Sequence, residues 1–118
     1  MSDDGPEFLC AETARRVMGW TVADIPWAYD GVAPVWHTAG GDPVMTVFSW
    51  RPDRDDAQNM QVLDRMVDLG FDLTLTAEDG RTVVRVGRAA MPAARGEHAD
   101  RRIALLRAAL AGVGNIDG

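Results

Sequence analysis

The chain has 118 residues, enough for one core of ordinary size and too few for several. It is 47% apolar and 25% charged, a balance that excludes both a disordered chain and a membrane-embedded one. Twelve basic residues, all arginine, face eighteen acidic ones for a net charge of −6, which disfavours nonspecific nucleic-acid binding because that runs on cationic contacts to phosphate.

Residues 1–6 read as a polar tail. Glu7–Met18 reads as a helix. Leu9 or Cys10, Ala14, Val17 and Met18 recur near helical spacing, and Arg15 and Arg16 suit the negative end of the dipole. Gly19 supplies the stop. Residues 20–43 read as mostly irregular, punctuated by Pro26, Pro34, Pro43, Gly31, Gly40 and Gly41, with a short strand at Trp20–Val22. Val35–Thr38 and Val44–Phe48 predict a hairpin around residues 39–42. Val44 and Phe48 point one way, Met45 and Val47 the other. An apolar load on both faces predicts a central strand in a sheet covered on both sides.

Asp53 is expected to cap the next helix, with Asp55 and Asp56 at its positive end. Met60, Leu63 and Val67, joined by Val62, Met66 and Leu69, form its apolar stripe, and Gly70 ends it. Phe71–Thr76 alternates cleanly, Asp79-Gly80 marks a tight turn, and Arg81–Gly87 returns as the partner strand. Residues 88–96 read as a loop. A last helix runs from about His98 to Val113, with Ile103, Leu106, Leu110 and Val113 on one face, and residues 114–118 form a tail. The expected fold is α+β in the order α-β-β-α-β-β-α. A mostly antiparallel four-stranded sheet carries helices on its faces, in one α/β sandwich domain over residues 7–113.

Several short strings resemble the phage ABA sandwich domain, a family of small phage and prophage proteins. They are Val17-Met18-Gly19-Trp20, Trp50-Arg51-Pro52, the stretch from Ala57 to Gly70-Phe71 with Val62-Leu63-Asp64-Arg65-Met66 at its centre, and Ala104-Leu105-Leu106-Arg107-Ala108-Ala109-Leu110. Together they span about residues 8–112. The resemblance implies an α/β/α sandwich and a phage or prophage gene product. It implies no enzymatic activity and carries no catalytic motif. Residues 24–43 depart from the short connection expected there.

Six of the eight aromatic residues fall within positions 20–50. Trp20 and Trp50 flank strands and are expected in the core. Trp27, Tyr29 and Trp36 are the expected partner-binding residues, since tryptophan and tyrosine concentrate at binding hot spots and loops often carry function. Arg81 and Arg85 share one strand face, and Arg101 and Arg102 open the last helix, which makes these four a weak anion-binding candidate. Cys10, His37 and His98 come from separate elements with no paired spacing, so no metal site and no cofactor is expected. Cys10 lies in an apolar stripe, where a buried inert thiol is the usual outcome. Asp64 and Asp68 read as a solvated helix face. Arginines interspersed among the acids argue against a continuous acidic stripe of the kind a nucleic-acid mimic needs. Neither a P-loop nor a dinucleotide-binding glycine pattern is present.

With one cysteine, an acidic start and no apolar run of the ~18–20 residues a membrane span needs, the protein is expected in the host cytoplasm, without membrane association. The expected function is that of a non-enzymatic phage accessory protein. It would bind a host protein and inhibit a bacterial defence system in the manner of an anti-CRISPR protein. A nucleotide or small-ligand sponge and a structural or assembly role are the alternatives. A homodimer is compatible with the sequence but not required by it.

Overall fold

A computed structural model of the chain describes residues 5–27 and 31–117. Three helices and two three-stranded antiparallel sheets make up the fold. Helix α1 (Pro6–Glu12) continues into a wider, π-helical turn over Thr13–Val17. That turn still buries an apolar stripe, with Leu9, Cys10, Thr13, Ala14 and Val17 all inside. Its end is closed by Arg65, whose Nε donates to the Val17 carbonyl at 3.1 Å, satisfying one of the acceptors a helix end leaves free.

The first sheet has the order β1-β2-β3, with β1 at Thr21–Trp27, β2 at Gly31–His37 and β3 at Pro43–Thr46. Residues 24–27 and 31–34, expected to be irregular, are instead a regular ladder in which Ile25 faces Ala33 and Pro26 faces Val32. Proline is tolerated on an edge strand, and β1 is one. Pro34 lies where β2 has only β1 beside it, because β3 pairs from Val35 onward.

The strand expected at Val44–Phe48 is shorter. After Thr46 the chain curls into a 3-10 turn over Val47–Ser49 that leaves Phe48 73% exposed. β3 is an edge strand with half-buried Val44 and Met45, not a central one. Coverage on both faces occurs on β2 instead, where the neighbours Val35 and Trp36, which point to opposite faces, are both buried.

Helix α2 (Asp56–Asp68) is capped by Asp55, whose carboxylate accepts from the Gln58 backbone N–H at 2.9 Å. Asp53 is not the cap. Residues 51–55 first make a turn in which the Arg54 and Asp55 N–H groups both donate to the Arg51 carbonyl, and this delays the helix by two residues. α2 then buries Val62 and Met66.

The second sheet, β4-β5-β6, uses β4 (Asp72–Glu78), β5 (Arg81–Gly87) and β6 (Ala94–His98). Asp79 and Gly80 both have positive φ, 52° and 76°, as the tight hairpin turn between twisted strands requires. β6 falls in the stretch expected to be mostly loop, and the last helix, α3, runs over Arg101–Asp117, past the expected start of the C-terminal tail. Gly96 on β6 explains how the two meet. A Cβ there would sit on the Ala108 backbone nitrogen and 2.5 Å from the Ala104 carbonyl oxygen. The bare backbone therefore lets α3 lie directly on the strand through Ala104 and Ala108.

The expected four-stranded sheet is thus two sheets of three, within a mixed α/β fold. α3 covers the inner face of the second sheet, with α1 and α2 packed on α3. The outer face of that sheet is exposed and charged rather than covered by a further helical layer. There Arg81, Arg85 and Arg95 interleave with Glu78 and Glu97 around Val83, which is buried. No described helix is long and apolar enough to cross a membrane.

Candidate functional site

Two features stand apart from the packed core. The first is the β1–β2 ribbon. Residues 21–24, 26, 31 and 32 are all exposed, including Val22 at 42% and Val32 at 71%. β1 is held almost entirely through β2, which in turn is anchored by Trp36, Val44, Met45 and the Val47–Ser49 turn. The molecule measures 49 × 31 × 29 Å and has a radius of gyration of 15.0 Å, above the roughly 13.5 Å expected for a compact chain of this length. Each seven-residue strand of the ribbon is about 23 Å long.

The second feature is a pocket of about 290 Å³ lined by Glu7, Cys10, Ala11, Trp36, Val47, Phe48, Trp50 and Arg51. Glu7, Cys10 and Ala11 share one face of α1 by their spacing. Trp50 is fixed from two sides: it meets Trp20 edge-on with ring centroids 4.7 Å apart, and its Nε1 donates to the Cys10 carbonyl at 3.0 Å. Gln58, on α2, donates to the Ser49 carbonyl at 2.8 Å and accepts from the Arg51 backbone N–H, tying the pocket's far wall to the helix.

Behind that wall lies a polar cluster. Asp53 is 7% exposed and takes two hydrogen bonds from Arg51 and one from the Cys10 thiol, Sγ to Oδ1 at 3.1 Å. Burial pushes the Cys10 thiol up to about 11, and the bond to the Asp53 carboxylate pushes the same way. At neutral pH Cys10 is therefore a protonated donor, not a nucleophile. Burial would also raise Asp53, but the bonds from Arg51 and Cys10 outweigh it and hold the carboxyl below its usual range.

The residues expected to bind a partner separate. Trp36 is 1% exposed, with the Arg15 guanidinium 5.4 Å from its ring centroid, so it is a core anchor and not a surface contact. The reason is local: Trp36 lies on the buried, three-stranded end of β2, where β3 pairs with it. Trp27 ends β1 in register with Gly31. Its side chain, and Tyr29 altogether, lie outside the described residues.

The four arginines do not converge. Arg81 and Arg85 stand on the outer face of the second sheet, paired with Glu97 at 3.5 Å and Glu78 at 3.4 Å. Arg101 and Arg102 pair with Asp56 at 3.5 and 3.6 Å. The start of α3 already holds a carboxylate, since Asp100 accepts from the Arg102 backbone N–H at 2.9 Å. An anion arriving there meets a site filled from within. His37 Nδ1 lies 2.9 Å from the Val35 carbonyl, and His98 Nδ1 accepts from the Asp100 N–H. Among the described residues, no group of three histidine, cysteine or acidic side chains is arranged to hold a metal ion.

The Arg51–Asp53–Cys10 cluster was not legible beforehand, because nothing in the sequence links Cys10 to a residue 43 positions away. The ribbon had one signal: Val32, Ala33 and Val35 alternate with β1 partners if the prolines are allowed on open edges. Comparison of the chain with protein-family models, curated proteins and solved structures finds no match.

Proposed function

We propose that the protein is a non-enzymatic binding module that docks on a partner protein through its β1–β2 ribbon. One observation carries the reading: a regular two-stranded ladder extends from the core with exposed Val22 and Val32 on it. An isolated two-stranded ribbon is marginal in water, and exposed strand edges and apolar side chains are what strand-pairing partners engage. The inert protonated thiol of Cys10 and the mutual pairing of the surface arginines favour binding over chemistry. The resemblance to phage ABA sandwich proteins directs the search to host proteins, with defence effectors first and the host cytoplasm as the place of action.

The test is capture of host proteins by the tagged wild-type chain and by a Val32→Glu variant. The account expects a stoichiometric partner retained by the first and lost by the second, with equal thermal stability of the two chains. A partner retained equally by both removes the ribbon as the docking element.

A further inference from the structure

The pocket between α1 and the Val47–Arg51 segment has no part in the ribbon reading, and its lining is chemically specific. Two buried indoles, Trp36 and Trp50, form walls with Val47 and Ala11, and Phe48 stands exposed at the rim. An apolar cavity of roughly 150 Å³ accommodates benzene. A volume of about 290 Å³ therefore suits two fused rings, and lies just below the range of drug-sized sites.

Arg51 supplies the polar contact. Its Nε and Nη2 are committed to Asp53, and the residue itself lines the pocket. A guanidinium already clamped on one edge is held rigid for a second acceptor on the other. Trp36 adds an independent sign. Its Nε1 is a buried side-chain donor with no hydrogen-bond partner, an arrangement that native structures rarely leave without an explanation such as a missing acceptor.

We propose that this pocket binds a small bicyclic aromatic carboxylate, with the rings against Phe48, Val47 and Ala11 above the buried tryptophans and the carboxylate on Arg51. Glu7, the pocket's other charged residue, opposes such a ligand and sets its orientation. An anion bound there sits nearer Arg51 than Glu7.

The probe is indole-3-acetate, titrated into the full chain and followed by the indole N–H resonances and by intrinsic fluorescence. The expected result is saturable binding with Kd of about 1 mM or tighter, and a shifted Trp36 resonance. Neutral indole should bind at least about tenfold more weakly, because it leaves Arg51 without an acceptor. Ala11→Leu, which fills the cavity from α1, should abolish binding, and Phe48→Ala, at an exposed position, should weaken it with the fold intact. Glu7→Gln should tighten it, since the opposing charge is gone. The proposal is overturned by absence of saturation at about 10 mM, by indole binding as tightly as its carboxylate, or by unchanged affinity in the folded Ala11→Leu and Phe48→Ala variants.

Discussion

Arg51 grips Asp53 through two near-parallel hydrogen bonds, Nε to Oδ1 at 3.0 Å and Nη2 to Oδ2 at 2.8 Å. The pair fixes the turn before α2 and, through Cys10, joins that turn to α1. Replacing Asp53 by Asn keeps the shape and removes the charge. The expected cost at neutral pH is about 1.5–3 kcal/mol, the range for hydrogen bonds to charged groups, read from chemical denaturation.

The same pair sets a pH dependence. Asp53 is held below its usual range in the folded chain, so the unfolded state binds the proton first. The stability this carboxylate contributes is complete above about pH 4, the unfolded value. It is lost as the pH falls through the lower folded value. The stability gap between the wild-type chain and Asp53→Asn should therefore close in acid, and a gap that stays constant down to pH 2 would contradict the assignment.

Cys10, raised to about 11, should resist thiol reagents in the folded chain. At pH 8 about one thiol in a thousand is ionised, and the sulfur is buried. Alkylation should follow unfolding by denaturant, with the same midpoint as the loss of circular dichroism. Rapid stoichiometric labelling of the native chain would show that the thiol is neither buried nor protonated as described.

Helix α2 distinguishes two aspartates that look alike in sequence. Asp55→Ala removes the cap on Gln58 N–H and should cost about 1 kcal/mol. Asp56→Ala removes ion pairs to Arg101 and Arg102 and a first-turn carboxylate beside the helix dipole, at a site 67% exposed, together worth about 0.5 kcal/mol and partly offset by the higher helix propensity of alanine. Equal costs in a denaturation series would return the cap to an open question.

Gly96→Ala should destabilise the chain by about 1–3 kcal/mol or more, the usual range for overpacking, because the added carbon meets backbone on α3 and not a yielding side chain. Gly87→Ala, where nothing lies within 4 Å, serves as the control and should be close to neutral.

What the sequence disclosed follows the reach of its signals. The α2 helix and the Asp79-Gly80 hairpin depend on residues within a few positions of each other, and both stand where the pattern places them, although the apolar stripe is narrower than expected: Val62 and Met66 are buried while Met60 and Val67 are more than half exposed. β6 stayed hidden because Arg95, Gly96 and Glu97 lack strand periodicity. Their role becomes visible only when α3 lies across Gly96. Trp36 looked like a surface aromatic because it follows a proline-rich stretch, yet pairing with β3 puts it inside. The helix cap slipped from Asp53 to Asp55 because Asp53 is engaged by a thiol from α1, a contact that no local spacing encodes.

The docking role of the ribbon is tested most directly by measuring partner affinity in the paired variants Val22→Glu and Val32→Glu alongside Arg85→Ala on the far sheet. The account predicts that each ribbon variant weakens binding at least about tenfold with an unchanged melting temperature, and that Arg85→Ala binds as the wild type does. Loss of binding in Arg85→Ala with both ribbon variants unaffected would contradict it.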